Sequence, residues 1–188
     1  MKKVIGLLLV SALLTMITAS SFAALYDVSA MENSYTGGSG AATISLTAGQ
    51  PFTVTVDPSD LWNAGPLPRW SNADGLVNNL YATGSDESGQ PFGLLIGQNY
   101  GTYSTSDLSA PYGTLVGRID SGSYFQIGTS YSGSASASGT LYLYYWDNNS
   151  SDNTEKIAAN VVPIPSALLL LGSGLIGFIG LRRRLGHK

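Results

Sequence analysis

Two long, mostly apolar runs bracket a long stretch in which apolar and polar residues tend to alternate. The first run, Val4 to Ile17, follows the basic start Met1-Lys2-Lys3 and precedes Ser21-Phe22-Ala23. A charged start, an apolar run of this length and small residues at that spacing predict a signal peptide over 1–23, cleaved before Ala24. Between Ala24 and about Asn160 helical periodicity is scarce, and short alternating segments are separated by turn residues. The predicted strands are Ala42–Leu46, Phe52–Val56, Phe92–Ile96, Thr114–Ile119, Tyr124–Ile127, Thr140–Tyr145 and Ile157–Val162. Asn63-Ala64-Gly65-Pro66, Ser85 to Gly89 and Ser132-Gly133-Ser134 punctuate them, and Gly37 to Gly40 and Ser132 to Gly139 read as loops. An alternating strand has one apolar face, and two sheets bury such faces against each other. The expected fold is therefore all-β, an antiparallel β-sandwich with jelly roll as first choice, over 24–160.

The second run, Ala167 to Leu181, is 15 residues. As a helix it spans roughly 22 Å, against roughly 30 Å of bilayer hydrocarbon. The expectation is a short transmembrane helix closed by Arg182, Arg183 and Arg184, which the positive-inside rule places on the cytoplasmic side.

Removing both ends changes the charge. Of nine Lys and Arg only Arg69, Arg118 and Lys156 lie between Ala24 and Asn160, with all twelve Asp and Glu, which leaves that segment at −9 against −3 for the chain. Such a surface repels phosphate backbones, so nucleic acid is excluded as a partner, while hard cations and neutral sugars stay compatible. No cysteine is present, and the one histidine, His187, lies beyond the second apolar run. Disulfides, thiol catalysis, zinc-thiolate sites and His-dependent triads are thereby absent from the exported segment. Asp74 and Asp147 as a glycosidase pair lack any fixed carboxyl separation, so no enzymatic activity is expected.

Val162-Pro163-Ile164-Pro165, the apolar segment with Gly172-Ser173-Gly174, and terminal Arg182-Arg183-Arg184 fall in an order that resembles the PEP-CTERM sorting signals of Gram-negative bacteria. Ile164 replaces the glutamate of the commonest form, which makes this a VPxP variant. The resemblance implies recognition by an exosortase, a transient inner-membrane intermediate, and delivery to the cell surface or extracellular polysaccharide. On this reading 161–188 is the sorting signal, and Pro163 and Pro165 keep the segment before the helix extended and free of backbone pairing. An ordinary C-terminal anchor is the alternative.

Inside the exported segment, Ala110 to Asp120, Phe125 to Asn153, Ala48-Gly49-Gln50 and Trp62 to Gly75 together resemble the bacterial galactophilic calcium lectins. The resemblance implies one calcium that coordinates sugar hydroxyls directly. Asp147 stands at the family's first aspartate, Asp152 and Asn153 at its two consecutive asparagines, Ser151 offers a backbone oxygen, and Ala64 or Gly65 the remaining carbonyl. The spacing from Asp147 to Asp152 is shorter than in those lectins, Ser71 falls at their sugar-contacting histidine, and Asp74 near their glutamine. Trp62 and Trp70 flank the loop that the family places beside the ion, as candidate stacking rings; packing in the core, where most aromatic residues of a β-sandwich go, is the alternative. Independently, Asp147 to Asn153 consists only of carboxylate, amide and hydroxyl residues, the donors that calcium takes, without the glycine and terminal glutamate of an EF-hand. A polar hairpin loop explains the same residues through turn geometry. The expectation is a non-catalytic, calcium-dependent, galactose-directed binding module whose avidity for surface polysaccharide rises with homo-oligomerisation. The alternative is a structural protein of a biofilm or floc matrix.

Overall fold

A computed structural model describes residues 23–165. Among these residues every regular element is a β-strand. One sheet has the order β1 (Ala24–Ser29), β14 (Lys156–Pro163), β3 (Pro51–Val56), β12 (Ser130–Ser134), and the other β11 (Phe125–Gln126), β10 (Thr114–Ile119), β13 (Gly139–Trp146), β2 (Ala41–Leu46). All neighbours in both sheets are antiparallel. Between β3 and β10 the chain makes three two-stranded ribbons: β4 (Trp62–Asn63) with β5 (Trp70–Ser71), β6 (Leu80–Tyr81) with β7 (Leu95–Gly97), and β8 (Thr102–Ser104) with β9 (Ser109–Pro111).

Alternation explains the sheets. In β3, Phe52, Val54 and Val56 are buried while Thr55 faces solvent, and the β-branched residues suit the pleated backbone. The inward residues of the first sheet, among them Val28, Phe52, Val54, Ile157 and Val161, form one core with Leu115, Ile119, Leu141 and Leu143 of the second. β13 is buried on its other face as well, where Tyr144 and Trp146 pack with Val116 and Ala110 under Tyr35, Tyr103 and Tyr124. A strand covered on both faces reads as a near-continuous apolar run, which Leu141 to Trp146 is. Ala23–Pro163 is one compact unit with its own core, the physical criterion for a domain that folds alone.

Several expectations change. Ser130–Ser134 is an edge strand, not a turn: it pairs with β3 along its length, and Tyr131 alone carries its apolar face, packed on Phe52 and Phe125. Phe92 is 85% exposed and the strand expected there begins only at Leu95. β1 starts at the predicted cleavage site and pairs in full register with β14, Ala24 opposite Val161.

The C-terminal boundary moves as well. β14 continues past Asn160, with Val161 buried and Val162 and Pro163 opposite Thr53 and Phe52. The start of the VPxP motif therefore lies inside the sheet, contrary to the expectation that it is free of backbone pairing. Ile164 and Pro165 follow outside any strand. The signal peptide, the run Ala167–Leu181 and Arg182, Arg183 and Arg184 lie outside the described residues. Among the described residues no helix is long and apolar enough to cross a membrane.

Candidate functional site

β13 delivers the chain from Trp146 into the loop Asp147–Asn153, and β4 brings Ala64 against it. The two are fastened by reciprocal backbone hydrogen bonds of 3.1 Å between Asn63 and Thr154. The loop is braced from within: Asn149 Nδ2 donates to Asp152 Oδ1 (2.8 Å), and Ser151 donates from N and Oγ to Asn149 Oδ1 (3.2 and 2.8 Å). Thr36 Oγ1 donates to the Asp147 carbonyl (2.7 Å), so β13 ends in a fixed position.

Asp147 is only 4% exposed, and its Oδ1 accepts the Asn148 N–H at 2.6 Å. Burial holds its carboxyl above the usual carboxylate range, against hydrogen bonds from the Asn148 and Asn149 backbone and the Asn153 side chain, with the charge of Asp152 adding to the rise. It belongs to neither ion pair among the described residues, which join Arg69 to Asp152 and Lys156 to Asp27. Behind it Asn153 is fully buried; its Nδ2 donates to the Ala30 carbonyl at 3.0 Å and its Oδ1 has no partner. A buried carboxyl without an ion-pair partner and a buried amide oxygen without a hydrogen bond each cost free energy.

Above them opens a hollow of about 150 Å³, lined by Asp147, Asn148, Asn149 and Asp152 on one side and by Ala64, Arg69, Tyr100 and Tyr112 on the other. Drug-sized sites run to roughly 300–1,000 Å³, so this one suits a single small polar ring. Gly65 lets the walls close: its φ is +112°, and a Cβ there would lie 2.3 Å from Asp152 Oδ2. Arg69 Nη1 lies 3.8 Å from Asp152 Oδ2 and donates at 3.5 Å to the Ala64 carbonyl, and its guanidinium rests 4.5 Å over the Tyr100 ring. Tyr112 meets Tyr100 edge-on at 5.4 Å and accepts a hydrogen bond from Asn148 Nδ2 (3.1 Å). Burial, then the charge of Asp147, raises the Tyr112 hydroxyl, which stays a neutral donor.

No protein-family model matches the chain, and no curated protein matches it in sequence. Among solved structures it is similar to the N-terminal domain of EclA, described as a PllA-like lectin. The TM-score is 0.45 at 18% identity, over 76% of this chain and 96% of that one.

Of the expected site residues, Asp147, Asp152 and Ala64 come together at one hollow, and Asn153 backs it. Ser151 is exposed, spends its hydroxyl on Asn149 and does not line the hollow. Trp62 is no sugar platform: it is fully buried under Tyr145, and its Nε1 donates to the carbonyls of Asn72 and Gly113. Trp70 is 9% exposed in a second small core with Leu61, Ala82 and Ile96. Asp74 lies with Trp70 on a different hollow, and its carboxylate accepts the N–H and Oγ–H of Thr129. Neither Trp70 nor Asp74 belongs to the Asp147 hollow. Sequence reasoning missed Arg69, Tyr100 and Tyr112; the one available signal was that Arg69 is among only three cations of the acidic segment.

The calcium donors fit on chemistry. Among the described residues no three His, Cys, Asp or Glu side chains cluster, but calcium also takes amide and carbonyl oxygens. Asp147, Asp152, the amides of Asn148 and Asn149 and the residue Ala64, which all line the hollow, offer oxygens of these kinds.

Proposed function

We propose that the exported domain is a non-catalytic, lectin-like carbohydrate-binding module whose binding place is the Asp147–Asp152 hollow. The observation that carries this is the buried Asp147 carboxyl, which belongs to no ion pair among the described residues, at a ring-sized hollow edged by tyrosines and amides. Asp147, Asp152, Asn153 Oδ1 and the Ala64 carbonyl, with a Ser151 backbone oxygen in the family pattern, would hold calcium. When bound, calcium supplies a hard positive centre that takes sugar hydroxyls as ligands.

The chain's own groups do the rest. Asn148 has its Oδ1 to accept from a hydroxyl, and the Tyr112 hydroxyl proton is available to donate. Tyr100, 45% exposed, offers an edge or face to the apolar side of a pyranose. Hydroxyl pairs on a neutral ring suit a domain of such acidic balance, and galactose is the sugar that the resemblance puts first. The residues from Val162 to Arg184 read as the exosortase-recognised hold that releases the domain to the surface or polysaccharide matrix of a Gram-negative bacterium. This sorting reading rests on the order of the residues alone.

Titrating calcium and then galactose into metal-stripped 24–163 tests the reading. Saturable calcium heat followed by galactose heat is expected. No heat from calcium at millimolar concentration, and none from galactose or a glycan panel, would leave a sandwich with a polar hairpin and a structural role in the matrix.

A further inference from the structure

The Arg69 guanidinium stands between two of the oxygens that the calcium reading needs. Its Nη1 lies 3.5 Å from the Ala64 carbonyl and 3.8 Å from Asp152 Oδ2, both longer than an ordinary N–H···O bond. A residue that orients a metal ligand from behind makes a normal hydrogen bond to one ligand. Arg69 instead stands at long range from two candidate ligands at once, 3.5 Å from one and 3.8 Å from the other. Calcium holds oxygens at about 2.3–2.6 Å, so an ion sharing this pair would lie within a few ångströms of the guanidinium. Like charges that close oppose each other strongly even at an effective dielectric constant of ~20.

Arg69 is also held by a contact that uses neither oxygen. Its guanidinium already lies over Tyr100, whose ring face attracts a cation without using either oxygen. Among the described residues no other cation lines the hollow: Arg118 donates to Tyr144 Oη and rests over Tyr124, and Lys156 pairs with Asp27. Asp147, deeper in the loop, forms no ion pair with Arg69, so an incoming divalent ion keeps its strongest ligand.

We infer that Arg69 is a tethered cation that competes with calcium for Asp152 and the Ala64 carbonyl, and so sets the calcium concentration at which the hollow fills. The inference rests on the calcium reading above. It gives the residue two duties: bracing the loop when calcium is scarce, and yielding the two oxygens, still held over Tyr100, when calcium is plentiful.

Calcium titration and thermal melting of residues 24–163, with and without EDTA, test it on wild type and Arg69→Gln. The variant should bind calcium at least tenfold more tightly, melt below wild type in EDTA, and gain more from calcium than wild type does. Arg69→Met should change affinity in the same direction, so a folding defect in one variant does not decide the matter. Equal affinity in wild type and variants overturns the inference and leaves the calcium site standing. Weaker affinity in the variants also overturns it, making Arg69 an orienting residue. No calcium heat in any of the proteins removes both the calcium site and the competition, and galactose heat in that case would preserve the sugar hollow alone.

Discussion

Gly65→Ala separates the effect of backbone strain from the effect of closing the hollow. The residue has φ +112°, and an added Cβ would lie 2.3 Å from Asp152 Oδ2, 2.9 Å from its Cγ and 3.4 Å from Arg69 Nη1. Holding a non-glycine residue in such a backbone region costs about 1–3 kcal/mol. The contact with Asp152 cannot be absorbed in place, so the carboxylate must turn away. It then loses the 2.8 Å bond from Asn149 Nδ2, worth about 1 kcal/mol, and a half-exposed pairing with Arg69 worth about 0–1 kcal/mol. The total is about 2–5 kcal/mol. Gly49→Ala is the control: its φ is +79°, but an added Cβ meets nothing within 4 Å, so only the backbone cost of about 1–2 kcal/mol applies. At about 3–5 °C per kcal/mol for a domain of this size, the Gly65 variant should melt several degrees below the Gly49 variant. The sharper difference is in calorimetry: Gly65→Ala should lose calcium binding, and Gly49→Ala should keep it. Indistinguishable melting and calcium isotherms for the two variants would show that Asp152 does not pack on Gly65 and that the hollow is not walled as described.

Burial raises the Asp147 carboxyl, so the folded metal-free domain keeps a proton there that the unfolded chain has already released above its ordinary value of 3.8. In EDTA its contribution to stability is therefore full at low pH and lost as pH rises from about that value through the folded pKa, whereas calcium affinity falls on acidification. Asp147→Asn should flatten the first slope, raise the melting temperature in EDTA at neutral pH, and abolish calcium heat; a lower melting temperature in EDTA would contradict the idea that burial of this charge costs more than its hydrogen bonds return. A fragment ending at Asn160 removes Val161, whose burial contributes about 1.5–3 kcal/mol, together with the pairing of Val162 and Pro163 to β3. It should melt well below 24–163, and equal melting would show that the end of β14 adds nothing to the sheet. Tyr100→Ala removes the ring under Arg69, worth about 0.5–1 kcal/mol at an exposed site, and should weaken galactose binding with little change in global unfolding. Unchanged galactose affinity would take Tyr100 out of the binding surface.

The strands that could be read from the chain are those whose burial writes a pattern. β3 and β10 were legible because one face, or nearly both, must be apolar to reach the core, and Thr114–Ile119 matches its expected limits. β12 was not, because an edge strand needs only Tyr131 to face inward, and the serines and glycine around it are the residues of a turn. The site divides along the same line. Asp147 to Asn153 announced itself as a local run of oxygen donors, and the structure makes it one wall of a hollow. Its other wall depends on the pairing of Asn63 with Thr154 and on the ribbons between β3 and β10, whose strands are two or three residues long and leave no period to detect. Trp62 stayed open between core and binding surface for a related reason: an indole offers the same apolar area to a core as to a sugar, and only the fold, through Gly113 and Tyr145, assigns it to the core. Arg69 is the opposite case. A cation so rare in an acidic domain is conspicuous in the chain, but its meaning depends on a distance to Asp152 that only folding creates. Donor chemistry is thus local and readable, whereas the competition for those donors is a property of two segments brought together across the fold.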